Sequence, residues 1–213
     1  GIAQATRELI KALARVDGSN EYCLYYQYFR RKGRMPLAIA QENFTSVINR
    51  LPWPLVKWLA MPIETFTGKA DVIHGPSFFL WTKNGAKTVL TIYDLAFMLF
   101  PECYMKPSLE RLLREVPRCV QKATLIIAVS RSTREDLINM LGISPQKIRV
   151  IPLAVASRFR VVEDEALKES IRHKYALPPC FFLFVGLLNP RKNGARLIQA
   201  YHRFKSETNL PHK

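Results

Sequence analysis

The chain has 213 residues, 48% hydrophobic and 23% charged, with 32 lysines and arginines against 17 aspartates and glutamates and a net charge of +15. That composition suits one large domain or one and a half small ones, and with no apolar run of 18 residues it excludes a membrane-spanning helix. The charge points to anionic surroundings, whether nucleic acid, phosphorylated substrates or acidic lipid headgroups, although no basic cluster interleaved with aromatics marks a nucleic-acid module. Cys23, Cys103, Cys119 and Cys180 lie far apart, and His74, His173, His202 and His212 are equally scattered. Neither a disulfide framework nor a metal site is expected, and reduced thiols in a cytoplasmic protein fit best.

Residues 2–16 place Ile2, Ala5, Leu9, Ile10, Ala12, Leu13 and Val16 at helical spacing, with Arg7, Glu8, Lys11 and Arg15 between them. This is an amphipathic helix and not a signal peptide. Asp17-Gly18-Ser19-Asn20 ends it. Residues 21–29, rich in Tyr, Phe and Leu, predict a strand. Residues 30–34 form a solvated basic turn, and residues 37–40 predict a second strand. The stretch LPWPLVKWLAMPI, residues 51–63, is apolar but broken by prolines. Two readings stand for it: core packing, or a membrane-surface contact with Trp53 and Trp58 at headgroup level and Lys57 near acidic lipid.

The pattern then becomes regular. Strands are predicted at 71–75, 87–94, 124–130 and 147–152, and helices at 107–121 and 132–141, the second N-capped by Ser130 or Ser132. Alternating strands and helices give an α/β fold, a Rossmann-like parallel sheet with flanking helices. Such sheets bind ligands beyond the carboxyl ends of their strands, which is where His74, Gly75, Tyr93, Asp94 and Ser130 fall. Residues 153–160 leave the sheet, 161–166 form an acidic link and 167–175 a short helix. Residues 181–206, FFLFVGLLNPRKNGARLIQAYHRFKS, read as a buried strand ending at Gly186, a loop through Asn189 and Pro190, and a helix with Leu197, Ile198 and Tyr201 on one side. That geometry aims free backbone N–H groups at an anion. Arg191 and Lys192 add fixed charge, each worth about 4 kcal/mol at roughly 4 Å and an effective dielectric near 20. The plainer alternative is a loop with two solvated cations.

The segment VGLLNPRKNGARLIQAY resembles the opening of the second domain of GT-B glycosyltransferases of the retaining, glycogen-synthase-like family, family 4. Other segments resemble the same family in the same order: GIAQATRELIKALA the end of a glycine loop and first helix, then DVIHGPSFFL, KTVLTIYDLAFMLFPECY, ATLIIAVSRSTREDL and KIRVIPLAVASRF. The likeness covers most of the chain and is weakest over residues 22–70. It implies an acceptor-side Rossmann-like domain at 1–155, lacking its first strand. Residues 156–213 would then be the hinge and the start of a second Rossmann-like, nucleotide-sugar-binding domain.

The activity implied is transfer of a hexose, mannose by the wording of the loop, from a GDP- or UDP-sugar to a surface polysaccharide or lipid-linked glycan, with retained configuration. No metal and no further cofactor is required, and no nucleic acid is expected. By resemblance Arg191, Lys192 and Gly1 hold the donor diphosphate, and Tyr93 and Asp94 lie beside the reacting sugar. His74 and Ser130 lie toward the acceptor. Tyr93 stands where many relatives have histidine, Leu187 where some have a second phosphate-binding arginine, and Ala154 replaces a hinge glycine. The family's two-glutamate motif is expected beyond residue 213, so the chain reads as a fragment without turnover of its own. Its expected place is the cytoplasm, with peripheral contact at the acidic inner face of the membrane. The rival readings are a noncatalytic basic nucleotide- or nucleic-acid-binding α/β module and a sugar-phosphate epimerase, whose glycine-rich first turn is not in the sequence.

Overall fold

A computed structural model describes residues 1–29, 36–80, 82 and 85–212. The chain opens on helix α1 (Ile2–Val16), whose last turn carries Arg15, where a cation meets the negative end of the helix dipole. Asp17 stops the helix. Its carboxylate accepts from the backbone N–H groups of Ser19 and Asn20 at 3.0 and 3.1 Å and from the Tyr22 hydroxyl at 2.5 Å. These donors, the Tyr22 hydroxyl first, hold the carboxyl far below its usual pKa range.

Strand β1 (Tyr22–Gln27) pairs in parallel with β2 (Phe44–Asn49), and the Tyr22 and Phe44 rings stack 4.4 Å apart. The second strand is therefore at 44–49 and not at residues 37–40, which run without regular structure. The sequence FTSVIN is half polar, so its own composition hides it; contact with the Tyr-rich neighbouring strand recruits it. The basic turn expected at 30–34 lies outside the described residues.

Two short helices, α2 (Trp53–Trp58) and α3 (Glu64–Thr67), lead to the main sheet. There β3 (Val72–Gly75), β4 (Lys87–Ile92), β5 (Leu125–Ala128) and β6 (Ile148–Val150) lie side by side in that order, all parallel. Parallel neighbours need crossovers. One runs through α4 (Ala96–Leu99), a 3-10 turn at Pro101–Cys103 and α5 (Lys106–Lys122); the next runs through α6 (Arg131–Leu141). Leu90, Ile92, Leu95, Phe97, Val116, Val120, Ile126 and Leu137 form the fully buried core between strands and helices. Thr88 and Thr124 stitch the entry ends of β4 and β5, each hydroxyl accepting the other's backbone N–H at 3.0 and 2.9 Å.

Gly75, the last residue of β3, is needed for close approach. A Cβ there would sit 2.5 Å from the Phe79 carbonyl oxygen and 2.9 Å from Leu80 Cδ2. Gly75→Ala is expected to destabilise the fold by about 1–3 kcal/mol, read as a lower urea midpoint with an unchanged slope. An unchanged midpoint would show that the chain at 76–80 yields freely.

After β6 the chain leaves the sheet and enters α7 (Glu165–Lys174), capped by Asp164, which accepts from Leu167 N–H at 3.0 Å. Residues 181–185, expected as a buried strand, have no ladder partner among the described residues, and Phe182, Leu183 and Val185 are exposed. An apolar run becomes a parallel strand only against another strand's edge, and the described residues offer none there. Phe182 instead meets Tyr201 and Phe204 of α8 (Gly194–Glu207) edge-on, with ring centroids 6.0 and 5.3 Å apart. Of the expected second domain, loop and helix are present and the strand is not formed. The β1–β2 pair and the four-stranded sheet also share no ladder among the described residues. No described helix is long and apolar enough to cross a membrane.

Candidate active site

The carboxyl ends of β4 and β5 are tied by one hydrogen-bonded chain. Thr133 Oγ1 donates to the Tyr93 carbonyl at 3.0 Å, Ser130 Oγ lies 2.9 Å from Thr133 Oγ1, and Ser130 Oγ accepts from Thr133 N–H at 3.0 Å. Because the Thr133 hydrogen goes to Tyr93, the Ser130 hydrogen must go to Thr133. A hydroxyl has one donor and two acceptor positions, so Ser130 keeps one lone pair for anything else. It is the N-cap of α6 before it is a ligand contact. Thr133 was not read from the sequence; the Ser130-x-x-Thr133 capping spacing was the available signal.

Tyr93 is half-buried. Burial pushes its hydroxyl above the usual tyrosine pKa, opposed by a hydrogen bond with Thr6 of α1. It is thus a protonated donor near neutral pH. Asp94 Oδ1 accepts from Ala96 N–H at 3.0 Å, closing the turn into α4. Its other oxygen faces Arg191, with Nη1 at 3.9 Å. These side chains are 44% and 36% exposed, so the pair contributes at most about 1 kcal/mol and weakens with salt. Tyr104 joins them. Burial, then the Asp94 charge, raises its hydroxyl pKa, and the Arg191 charge opposes the rise. No local signal in the sequence marks Tyr104, because its partners lie on other segments.

The turn that carries Arg191 is held by Asn189, whose side chain accepts from Lys192 N–H at 3.1 Å. Asn193 follows in the left-handed region (φ 54°), and α8 begins with no side-chain cap. Its first N–H groups are therefore free to meet an anion. Among the described residues the Lys192 ammonium has no ion-pair partner, and the residue is exposed. Arg191 and Asp94 are thus brought together, with Lys192 adjoining in sequence.

His74 sits deeper. Its Nε2 lies 2.8 Å from Thr91 Oγ1, and burial depresses its pKa, which keeps it neutral at pH 7. In the ladder it is level with Val89, four residues before Tyr93, or about 13 Å along the strand. Gly1 is exposed at the amino end of α1; its carbonyl accepts from Gln4 and Ala5 N–H, and a Cβ there would meet nothing within 4 Å. Among the described residues no cluster of three or more metal-ligating side chains occurs.

A parallel α/β sheet flanked by helices, with polar groups gathered beyond its carboxyl ends, defines a Rossmann-like domain of the kind found at the amino end of GT-B glycosyltransferases. The chain belongs to glycosyltransferase family 4, which residues 1–158 match. It is similar to O-antigen chain mannosyltransferase B of Escherichia coli, 27% identical over 143 residues, covering 67% of this chain and 37% of that protein. It is also similar to the serotype-specific mannosyltransferase WbdA of Escherichia coli, 31% identical over 123 residues, covering 57% of this chain and 15% of that one. A third relative, from Campylobacter jejuni, is an N-acetylgalactosamine-N,N'-diacetylbacillosaminyl-diphospho-undecaprenol 4-alpha-N-acetylgalactosaminyltransferase, 31% identical over 109 residues, covering 50% of this chain and 28% of that protein. The chain thus spans well under half the length of these relatives.

Proposed function

We propose that this chain contributes the acceptor-side lobe, residues 1–155, and the start of the donor-side lobe, residues 156–213, of a retaining GT-B glycosyltransferase. The reaction is transfer of a hexose from a nucleotide-sugar to a surface polysaccharide or lipid-linked acceptor. The relatives' names favour mannose and, in one case, a diphospho-undecaprenol acceptor. The observation that carries the reading is the 3.9 Å approach of Arg191 to Asp94, which sets the basic turn before α8 against the carboxyl end of β4.

In this reading the donor diphosphate lies on the uncapped N-terminus of α8, between Arg191 and Lys192, with Gly1 bordering it from the first lobe. The departing diphosphate gains charge as the glycosidic bond breaks, so cations already in place stabilise the transition state more than the ground state. No metal is needed for that. When the diphosphate takes Arg191, Asp94 is released to accept a hydrogen bond from a sugar hydroxyl. Tyr93, protonated, donates one. His74 Nε2 is engaged by Thr91 and the Ser130 hydroxyl by Thr133, and they serve the acceptor side mainly by joining β3 to β4 and the end of β5 to that of β4. The carboxylate pair expected toward the donor sugar and ribose would come from sequence after residue 213, and one more parallel strand from sequence ahead of residue 1. Four free cysteines suit a cytoplasmic setting.

Titration of residues 1–213 with GDP, UDP and single-stranded RNA, each at low and high salt, tests the reading. Saturable binding that prefers one base and depends weakly on salt is expected, with no sugar transfer by this chain alone. RNA binding with a steep salt slope and no preference between nucleotides would instead support a basic binding module. Sugar transfer by residues 1–213 alone would refute the need for the further carboxylates.

A further inference from the structure

The crossover from β4 to α5 leaves large apolar groups in water just beyond Asp94. Leu99 is 46% exposed, Phe100 49% and Met105 75%. Their backbone is fixed. Phe100 N–H donates to the Ala96 carbonyl at 2.8 Å, and the Phe100 carbonyl accepts from Cys103 N–H at 3.0 Å. Tyr104 N–H donates to the Pro101 carbonyl at 3.1 Å, and the Met105 carbonyl accepts from Ser108 and Leu109 N–H at 3.0 Å each. Behind the turn Ala96 and Phe97 are buried in the core. The Phe100 ring is therefore displayed on a rigid support, and an exposed apolar group held in place marks a contact with something else.

Polar groups stand beside it. Asp94 holds Ala96 N–H with one carboxylate oxygen and turns the other toward Arg191. One helical turn, about 6 Å of rise, separates Ala96 from Phe100. Tyr104 is half-buried and close enough to Asp94 and Arg191 to feel both charges, and its hydroxyl has no hydrogen-bond partner among the described residues. An aromatic face, a carboxylate oxygen and a free hydroxyl suit a pyranose, which has an apolar C–H face and a rim of hydroxyls. A hydrocarbon chain has no use for the carboxylate, and an anion is repelled by it. We propose that Phe100, with Tyr104 and the outward oxygen of Asp94, forms the subsite for the terminal pyranose of the acceptor glycan. The ring stacks on the sugar's C–H face, and the phenol and carboxylate meet its hydroxyls. A donor sugar is held through its diphosphate, whereas an uncharged acceptor terminus has only such contacts to fix it. The proposal rests on the glycosyltransferase reading and deepens it. Its test contains no nucleotide, so it can fail while the diphosphate site stands.

The test is a saturation-transfer NMR titration of residues 1–213 with the methyl α-glycosides of mannose, glucose, galactose and N-acetylgalactosamine. At least one is expected to bind saturably, with a dissociation constant on the order of millimolar. Phe100→Ala should weaken that binding about three- to tenfold, and Phe100→Leu, apolar but without an aromatic face, should lose most of the same amount. Phe100→Tyr should stay within about twofold of the parent. Tyr104→Phe should cost about three- to tenfold through the lost hydroxyl. Phe100 is exposed, so the thermal transitions of its variants should match the parent's. The proposal is overturned if none of the four glycosides binds, or if Phe100→Ala or Phe100→Leu binds them as the parent does. A dimer in sedimentation velocity without sugar, abolished by Phe100→Ala, would assign the face to a second copy of the chain instead.

Discussion

Replacing Arg191 and Lys192 together by alanine is expected to weaken nucleoside-diphosphate binding by roughly 10- to 100-fold, measured by isothermal titration at low salt. A hydrogen bond to a charged group is worth about 1.5–3 kcal/mol, and exposure moves each toward the lower end, near tenfold. The residues are neighbours and share one ligand, so their effects should add incompletely. The uncapped N–H groups of α8 remain in the double variant, so residual binding is expected. A nucleoside lacking phosphate should bind parent and variant alike. Asp94→Asn should move affinity the other way. The amide oxygen can still accept from Ala96 N–H, but the negative charge facing Arg191 is gone. Since that pair is worth at most about 1 kcal/mol, the gain is at most about fivefold and fades with salt. If alanine at 191 and 192 left diphosphate affinity unchanged, the turn before α8 would not be the donor site.

Much of the main sheet was legible because its strands are covered on both faces. KTVLTI is a near-continuous run with Thr88, Leu90, Thr91 and Ile92 buried, and such a run leaves few alternatives. The site's scaffold was legible for the same reason, since Tyr93, Asp94 and Ser130 follow directly from where the strands end. Strand β2 was hidden because only its partner makes FTSVIN a strand. Residues 181–185 misled in the opposite sense: a strand-like composition is a capacity, and pairing needs an edge that the described residues do not provide. The interactions that assemble the site, Thr6 with Tyr93, Tyr104 with Asp94 and Arg191 with Asp94, span from ten to nearly a hundred residues. No local pattern encodes such pairs. Only the folded path of α1, the segment after α4 and the turn before α8 brings them together.

The largest expected effect on stability lies three residues from Asp94. Phe97 is 1% exposed, in α4, and its ring meets that of Phe78 at right angles with centroids 6.3 Å apart. Truncation to alanine removes most of a fully buried ring and leaves a cavity beside Leu95 and Val116, so Phe97→Ala should cost about 3–5 kcal/mol. A domain of this kind has roughly 5–15 kcal/mol in total, so the variant should fold but with a much lower urea midpoint. Its effect should also reach the candidate site. Asp94 holds Ala96 N–H, and Ala96 and Phe97 anchor the start of α4 in the core; with the ring gone, the Asp94 turn loses the packing that fixes it. Phe97→Leu, which refills most of the volume, should recover most of the stability and restore hydrogen-exchange protection at Ala96. A Phe97→Ala protein that loses stability yet keeps full protection there would mean that the Asp94 turn stands without the core beneath it.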